Sequence, residues 1–176
     1  MVYRHIRARR RSSQTNYKRR IALLKGGMPR IVIRKTNKRI IAQVVSYSET
    51  GDKTIAYADS NELIKEGWPS RANTPTAYLT GMLLAKKGKG IIEGPVVLDI
   101  GVHKPIKSSV IFAGAMGAAD GGIKLLGNIE GSDERIKGAH IAAYSKEGKN
   151  PSYKKEGIDA SRITELFEET KKKIMK

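Results

Sequence analysis

The sequence predicts a mixed α/β fold of one domain with short additions at both ends. Three β-branched runs follow one another, RIVIRK, RIIAQVVSYS and KTIAYAD, and they indicate strands at 30–35, 39–48 and 53–59. An apolar helical segment comes next. It is followed by PVVLDIG (95–101), which indicates a buried strand, and by a second helical segment. The resulting order βββα, then βα, is typical of a sheet covered by helices. The chain of 176 residues is long enough for one such core.

The turn between the first two strands decides which side chains share a face. A two-residue turn at Asn37-Lys38 pairs Thr36 with Arg39 and Arg34 with Ile41. One face then carries only apolar residues, Ile31, Ile33, Ile40, Ala42 and Val44. The other face carries Arg30, Arg34 and Gln43 together with Val32, Ile41 and Val45. A three-residue turn would scatter the charges over both faces, so we favour the shorter turn, although Lys38 is a poor residue for it.

A short basic helix is expected before the first strand. Thr15 or Asn16 is suited to its N-cap, and Gly26-Gly27 ends it. Tyr17, Ile21 and Leu24 recur with helical spacing and are expected on its inner face.

The remaining helices are marked by capping residues and apolar spacing. Thr74-Pro75 is a good N-cap and first-turn pair, and the helix that it opens is apolar nearly all round and should be buried. A helix at 109–119 is capped by Ser108 or Ser109. Further helices are expected from Ser60 to Lys65, at 133–144, and after a linker at 146–157 from an Asp159 cap, with Ile163, Leu166, Phe167 and Ile174 along one stripe.

Positive charge is concentrated at the start of the chain. The whole sequence has 34 Lys and Arg against 17 Asp and Glu, a formal charge of +17. Residues 1–48 contain 14 basic residues and no acidic one, whereas 49–176 contain 20 basic and 17 acidic residues. One-signed charge repels itself, and a polyanionic partner removes that repulsion and gains from counterion release. The pattern therefore favours a nucleic-acid partner over a merely basic surface.

Several other classes of protein do not fit the composition. There are no cysteines, which excludes disulfides and thiol-based metal sites or catalysis. The basic N-terminus is followed by no apolar run, and no apolar stretch approaches the roughly 20 residues of a membrane span. Residues 1–20 also lack the Trp, Phe and Leu stripe of an amphipathic membrane anchor. We therefore expect a cytoplasmic protein with no membrane partner.

Five segments together resemble a known family. They are RIALLKGGMPRIVIRKTNKRIIAQVV, GDKTIAYADSNELIKEGW, NTPTAYLTGMLLAKK, VVLDIGVHKPIKSSVIFAGAMGAADGG and DERIKGAHIA. In this order they resemble the archaeal and eukaryotic form of the large-subunit ribosomal protein L18 family, over roughly residues 4–144. The segment 123–131 departs from the family pattern, and the last ~25 residues resemble a variable tail.

The resemblance implies both a fold and a function. It implies a ribonuclease-H-like three-layer α/β core with a mixed sheet, a basic N-terminal tail and a helical C-terminal extension. The expected division is a disordered tail at 1–14, an RNA-binding core at 15–125 and an extension at 126–176. The implied function is to bind 5S rRNA in the central protuberance and to help attach it to the large subunit. The implied partners are 5S rRNA, large-subunit rRNA and neighbouring large-subunit proteins, with no cofactor.

Candidate RNA-binding residues fall into four groups. The tail contributes Arg4, Arg7, Arg9, Arg10 and Arg11, and the first helix contributes Lys18, Arg19, Arg20 and Lys25. The hairpin contributes Arg30, Arg34, Lys35, Asn37, Lys38, Arg39 and Gln43. The resemblance adds Lys104, Lys107 and Ser109, which precede a helix whose free N–H groups favour phosphate. The competing interpretations are a solubilising tail and an edge hairpin blunted with charge against aggregation.

The residues that could suggest catalysis have simpler structural interpretations. Asp99 ends a buried strand, but two-metal chemistry needs several converging carboxylates, and only Glu93 and Asp120 are near it in sequence. We expect Asp99 to make a structural hydrogen bond and His103 to be structural, so neither a catalytic nor a metal site is predicted.

Three other features are read in the same way. The glycine-rich GAMGAADGG lacks the Lys-Ser/Thr of a phosphate loop and indicates close helix packing. Trp68 and Tyr78 are assigned to packing. Lys171, Lys172, Lys173 and Lys176 suit RNA contact or a solvated helix end equally. The alternatives of another class are a metal-dependent nuclease on the same fold and an indiscriminate RNA chaperone.

Overall fold

The protein has a five-stranded mixed sheet with its helices stacked mainly against one face. The computed structural model describes residues 8–129, 131–147, 153 and 159–176. The strands are β1 (Arg30–Lys35), β2 (Ile40–Ser46), β3 (Lys53–Asp59), β4 (Val96–Asp99) and β5 (Leu125–Leu126). The helices are α1 (Ala8–Arg11), α2 (Tyr17–Lys25), α3 (Thr74–Gly88), α4 (Val110–Asp120), α5 (Asp133–Lys137), α6 (Ala139–Lys146) and α7 (Ile163–Met175), with 3₁₀ turns at Ser60–Glu66 and Ala160–Arg162.

The sheet has the order β3-β2-β1-β4-β5, which agrees with the predicted mixed α/β core. The first three strands are antiparallel, whereas β4 runs parallel to both β1 and β5. The predicted hairpin register is confirmed, because Arg34 pairs with Ile41 and the Thr36 N–H donates to the Arg39 carbonyl oxygen over 2.9 Å. Strand β5 was not predicted, since two residues are too few for a sequence pattern.

The apolar face of the hairpin lies under α3 and α4. Its five predicted core residues are all buried, none of them more than 1% exposed. The two helices approach closely because glycines face each other: a Cβ on Gly81 would overlap the Gly114 carbonyl, and one on Gly117 would overlap the Tyr78 carbonyl. The prediction that the glycine-rich 114–122 segment serves helix packing is confirmed.

The C-terminal helices form a third layer on the far side of α3. Phe167 of α7 packs against Trp68 and Tyr78, with ring centroids 6.1 and 5.5 Å apart. The Tyr78 hydroxyl donates to Asp120 over 2.5 Å and accepts from the Lys171 ammonium over 3.1 Å. Burial is the first cause, and the bond to Asp120 the second, of a raised Tyr78 pKa. The packing roles predicted for Trp68 and Tyr78 are confirmed.

Two of the differences between predicted and observed helix boundaries have a local cause. Asn73, not Thr74, caps α3, and its Oδ1 accepts from the Thr76 N–H over 3.1 Å. The single helix expected at 133–144 is divided into α5 and α6 by Gly138, which has a φ of +85° and so ends the first helix in a left-handed conformation.

The predicted tail and the predicted linker lie only partly within the described residues. Residues 8–11 of the expected disordered tail form one helical turn with no buried residue. Arg4, Arg7 and most of the predicted linker lie outside the described residues. Within the described part of the chain, no helix is both long enough and apolar enough to cross a membrane.

Candidate nucleic-acid interface

Helix α2 is fastened to the sheet by arginines. The Asn16 Oδ1 caps the helix by accepting from the Arg19 N–H over 3.1 Å. The Arg19 guanidinium donates to the carbonyl oxygens of Gly101 and His103 over 2.8 and 3.1 Å. The Arg20 guanidinium lies 2.7 Å from Asp52 Oδ2. The prediction that Ile21 faces inward is wrong, because it is 53% exposed and polar contacts attach the helix instead.

Arg30 was predicted to belong to the RNA-binding surface, and the structure corrects this prediction. Its side chain is 2% exposed, and its two terminal nitrogens lie 3.2 Å from Asp99 Oδ2 and 2.9 Å from Asp52 Oδ2. The prediction placed it on the correct face of the hairpin, but β1 is a central strand whose first residue lies beneath α2 and the β2–β3 loop. Arg30 therefore holds protein carboxylates together and is not presented to a partner.

Asp99 has the structural role that the sequence predicts. Its Oδ1 accepts from the Gly101 N–H over 2.8 Å and lies 3.5 Å from the Arg34 guanidinium. Its backbone oxygen accepts from Arg34 over 2.9 Å. Gly101 has a φ of +60°, which turns the chain so that its N–H reaches this carboxylate. Within the described ranges, no three His, Asp or Glu side chains cluster closely enough to hold a metal ion.

The tip of the hairpin is closed by hydrogen bonds and is exposed. The Thr36 hydroxyl accepts from the Arg39 N–H over 3.0 Å, and it lies 2.9 Å from the Arg39 carbonyl oxygen, to which it donates. Lys35, Asn37 and Lys38 are exposed around this turn. The Arg39 side chain is half-exposed, and its guanidinium lies 3.3 Å from Asp59 Oδ2. Fixed strands thus hold three polar groups and one paired arginine towards solvent.

The open face of the sheet continues from this tip. Gln43 is half-buried there, between Val32 of β1 and Tyr57 of β3 in the strand register. Tyr57 is 42% exposed, and its hydroxyl donates to Asp59 over 3.2 Å. Burial and the Asp59 carboxylate raise the pKa of Tyr57. Tyr57 was not among the predicted residues, although the alternation of Ala56 and Ala58 in KTIAYAD places Tyr57 on the open face.

The loop before α4 lies next to the fastened helix. Lys104 and Lys107 are exposed, and Ser109 is the N-cap of α4 without a side-chain capping bond. The backbone carbonyl oxygen of His103 accepts a hydrogen bond from the Arg19 guanidinium, which joins this loop to α2. At the other end of the chain, Lys171 bonds to Tyr78 and Lys173 to the Glu66 carbonyl, which ties these lysines into the fold.

Polar bonds join several of the parts of the chain that carry the predicted residues. The open sheet face, α2 and the α4 loop are linked by Arg19, Arg20, Arg30 and Arg34 through their contacts with Asp52, Asp99 and backbone carbonyls. Several arginines are therefore engaged in bonds within the protein, whereas lysines such as Lys35, Lys38, Lys104 and Lys107 are exposed to solvent.

Two comparisons with known proteins agree on one relationship. Residues 2–93 match a family model described as ribosomal large subunit proteins 60S L5 and 50S L18. The chain is also 41% identical, over 181 aligned residues, to the large ribosomal subunit protein uL18 of Thermofilum pendens. That alignment covers 94% of this chain and 91% of the relative.

Proposed function

The chain belongs to the ribosomal large-subunit family of 60S L5 and 50S L18, and from that premise we propose that it binds 5S rRNA and mediates its attachment to the large subunit. In this role it forms part of the central protuberance. As a member of that family it is a structural component of the cytoplasmic ribosome and not an enzyme, so the nuclease alternative falls away. Its other proposed partners are large-subunit rRNA and neighbouring large-subunit proteins.

The observation that carries the proposal is the one-signed charge of residues 1–48 on a rigid support. This segment has 14 basic residues and no acidic one, and its described part consists of a helical turn, a fastened helix and a hairpin. Carboxylates from outside the segment, Asp52, Asp59 and Asp99, pair with four of its arginines. The charges that remain exposed are those that an RNA backbone would neutralise.

The proposed contacts are divided between phosphate contact and specific recognition. The residues assigned to phosphate contact are Arg4, Arg7, Arg9, Arg10, Arg11, Lys18, Lys25, Lys104, Lys107 and Ser109. The residues assigned to specific recognition are Lys35, Asn37, Lys38, Arg39 and Gln43, with the exposed part of Arg34. Side chains on strands stand at fixed spacing, which recognition of one RNA over another requires. Arg19, Arg20 and Arg30 are assigned to holding this surface together.

Binding of purified protein to cellular RNA tests the proposal. Total RNA is passed over the immobilised protein, and the eluted RNA is sized and sequenced. Enrichment of 5S rRNA over transfer RNA of similar charge density is the expected result. Equal retention of all small RNAs would instead indicate the indiscriminate chaperone and would refute the proposal.

Limited proteolysis tests the proposed tail separately. Residues before Tyr17 offer no apolar face, so the cost of ordering them is met on binding. Cleavage within 4–20 should be early in the free protein and should slow when 5S rRNA is added. First cleavage within 30–120 would contradict the assignment of the core.

A further inference from the structure

A groove of about 740 Å³ lies between the tip of the β1–β2 hairpin and helix α6. Lys35 and Asn37 border it on the hairpin side, and His140 and Tyr144 border it on the α6 side. Arg71, Ala72 and Asn73, which precede and cap α3, form its base with Ile141 and Tyr153. The groove is shallow and widely open to solvent.

Helix α6 presents an aromatic surface to this groove. Tyr144 is 50% exposed, and His140 is exposed one helical turn before it, so that both rings project from one side of the helix. Unpaired bases stack on such rings, and stacking tolerates any base because every base has a π face.

The base of the groove is held in place by protein contacts. Tyr153 is 5% exposed, and the Arg71 guanidinium lies over its ring at 4.4 Å from the centroid. The Asn73 amide donates to the Tyr153 hydroxyl over 3.0 Å, while its oxygen caps α3. Arg71 and Asn73 are therefore held in the lining of the groove by contacts within the protein.

The polar groups of the groove match a nucleotide. Among the described residues that line it, the charged side chains are Lys35 and Arg71, and none is acidic. Partial desolvation of the otherwise exposed ring, and then the charge of Arg135, lower the pKa of His140. The neutral ring has one donor and one acceptor, as the edges of bases require.

We propose that this groove binds one unpaired nucleotide of 5S rRNA, with the base stacked on Tyr144 and facing Lys35 and Asn37 across the groove. The inference rests on the proposed function, and 5S rRNA is chosen because Lys35 and Asn37 belong both to the groove and to the hairpin surface. The groove thereby extends recognition from the N-terminal half to the C-terminal helices.

Replacement of Tyr144 tests the stacking contact. Tyr144→Leu removes the ring and keeps apolar bulk. It should weaken binding of transcribed 5S rRNA by between about fivefold and about 150-fold, which is the usual loss of affinity when one base–aromatic stacking contact is removed. Tyr144→Phe keeps the ring and should bind within about twofold of the native protein. Tyr47→Leu is the matched control, since Tyr47 is also half-exposed, at 53%, but does not line the groove. Equal affinity of Tyr144→Leu and Tyr47→Leu would overturn the proposal.

Photochemical cross-linking of the native protein supplies a readout that needs no variant. 5S rRNA containing 4-thiouridine should cross-link to the tryptic peptide 138–146, which holds His140 and Tyr144. Tight binding of 5S rRNA without a cross-link in this peptide would overturn the groove while leaving the proposed function intact. A cross-link there with large-subunit rRNA alone would also overturn it, and absence of 5S rRNA binding altogether would refute the proposed function itself.

Discussion

The two faces of the β1–β2 hairpin differ in what covers them. On one face, Ile31, Ile33 and Val44 are fully buried beneath α3 and α4, where backbones touch through glycines. On the other face, Arg30 and Arg34 extend among carboxylates and carbonyl oxygens. The covered face is held by shape and by exclusion of water, whereas the open face is held by directed polar bonds.

This difference shows how one strand pair serves both stability and binding. An apolar face depends on the volume of each side chain and tolerates little change. A polar face depends on partners, and where none is found within the described part of the chain, as at Lys35 and Lys38, the charges stay exposed. The strand register places Arg30 on the open face, yet its side chain is buried. Arg30 therefore lies at the boundary between the part of the open face that is buried in the protein and the part that is exposed.

Gly117→Ala should give the largest loss of stability. The new methyl group would overlap the backbone carbonyl of Tyr78, which cannot move without separating α3 from α4. Overpacking of this kind costs about 3 kcal/mol in unfolding free energy. Chemical denaturation measures it.

Gly26→Ala is the matched control for that substitution. Gly26 has a φ of −72°, and a Cβ there would meet Leu23 and Met28 at 3.4 Å, an ordinary contact. Its unfolding free energy should remain within about 0.5 kcal/mol of the native value, as at most surface positions. A similar loss in both variants would show that close helix packing is not what stabilises the covered face.

Arg30→Met and Arg34→Met should separate the two kinds of arginine on the open face. The Arg30 side chain is 2% exposed and pairs with Asp52 and Asp99, so its loss leaves carboxylates without a buried partner and costs about 3 kcal/mol. The Arg34 side chain is 39% exposed, and its loss should cost about 1 kcal/mol.

Affinity for 5S rRNA should respond in the opposite order. Under conditions where both variants are folded, Arg34→Met should bind more weakly than Arg30→Met. If instead Arg30→Met lost affinity while keeping native stability, then Arg30 would be a direct RNA contact, as the sequence alone suggested, and the boundary drawn here would be misplaced.

The smallest expected effect is a pH dependence at His140. Its pKa is lowered in the folded protein, so protonation favours the unfolded state, and this contribution is absent above the ordinary histidine pKa of about 6.5. Stability should therefore fall as the pH drops below that value. His140→Asn should lose less stability than the native protein between pH 7 and pH 5. A nuclear magnetic resonance titration that placed the His140 pKa above its ordinary value would contradict this.

The hairpin shows how far sequence reasoning reaches. The choice of a two-residue turn was sufficient to place the core residues and the open-face residues of the two strands on their correct faces. Burial of Arg30 could not be predicted, because it depends on Asp52 and Asp99, which are distant in sequence and meet it only after β4 pairs with β1. Similarly, the helical spacing of Ile21 gave no sign that Arg19 and Arg20 would dock α2.

The candidate site was harder to predict from the sequence than the fold, for the same reason. Exposed lysines were found from composition, since charge without acidic neighbours is visible in the sequence. The groove was not, because Lys35, Arg71 and Tyr144 are brought together only by packing of α6 near the hairpin tip. Tyr57 lay within reach of the alternation pattern, but its position in the row beside Gln43 required the β2–β3 pairing.

The central claim is that the rigid hairpin selects 5S rRNA while the tail supplies charge. Two variants address it, deletion of residues 1–14 and the double change Lys35→Ala with Lys38→Ala. Each deleted arginine that touches phosphate should flatten the dependence of log affinity on log salt by about 0.7–0.9. The double variant should reduce preference by about 1–3 kcal/mol per specific contact, by analogy with base-reading side chains.

The decisive measurement is the ratio of affinities for 5S rRNA and for an unrelated RNA of equal length, taken for both variants at several salt concentrations. We expect the tail deletion to weaken both affinities and to leave their ratio nearly unchanged. The hairpin variant should lower the ratio at every salt concentration. A ratio that collapses on tail deletion and persists in the hairpin variant would place recognition in the tail and contradict the account.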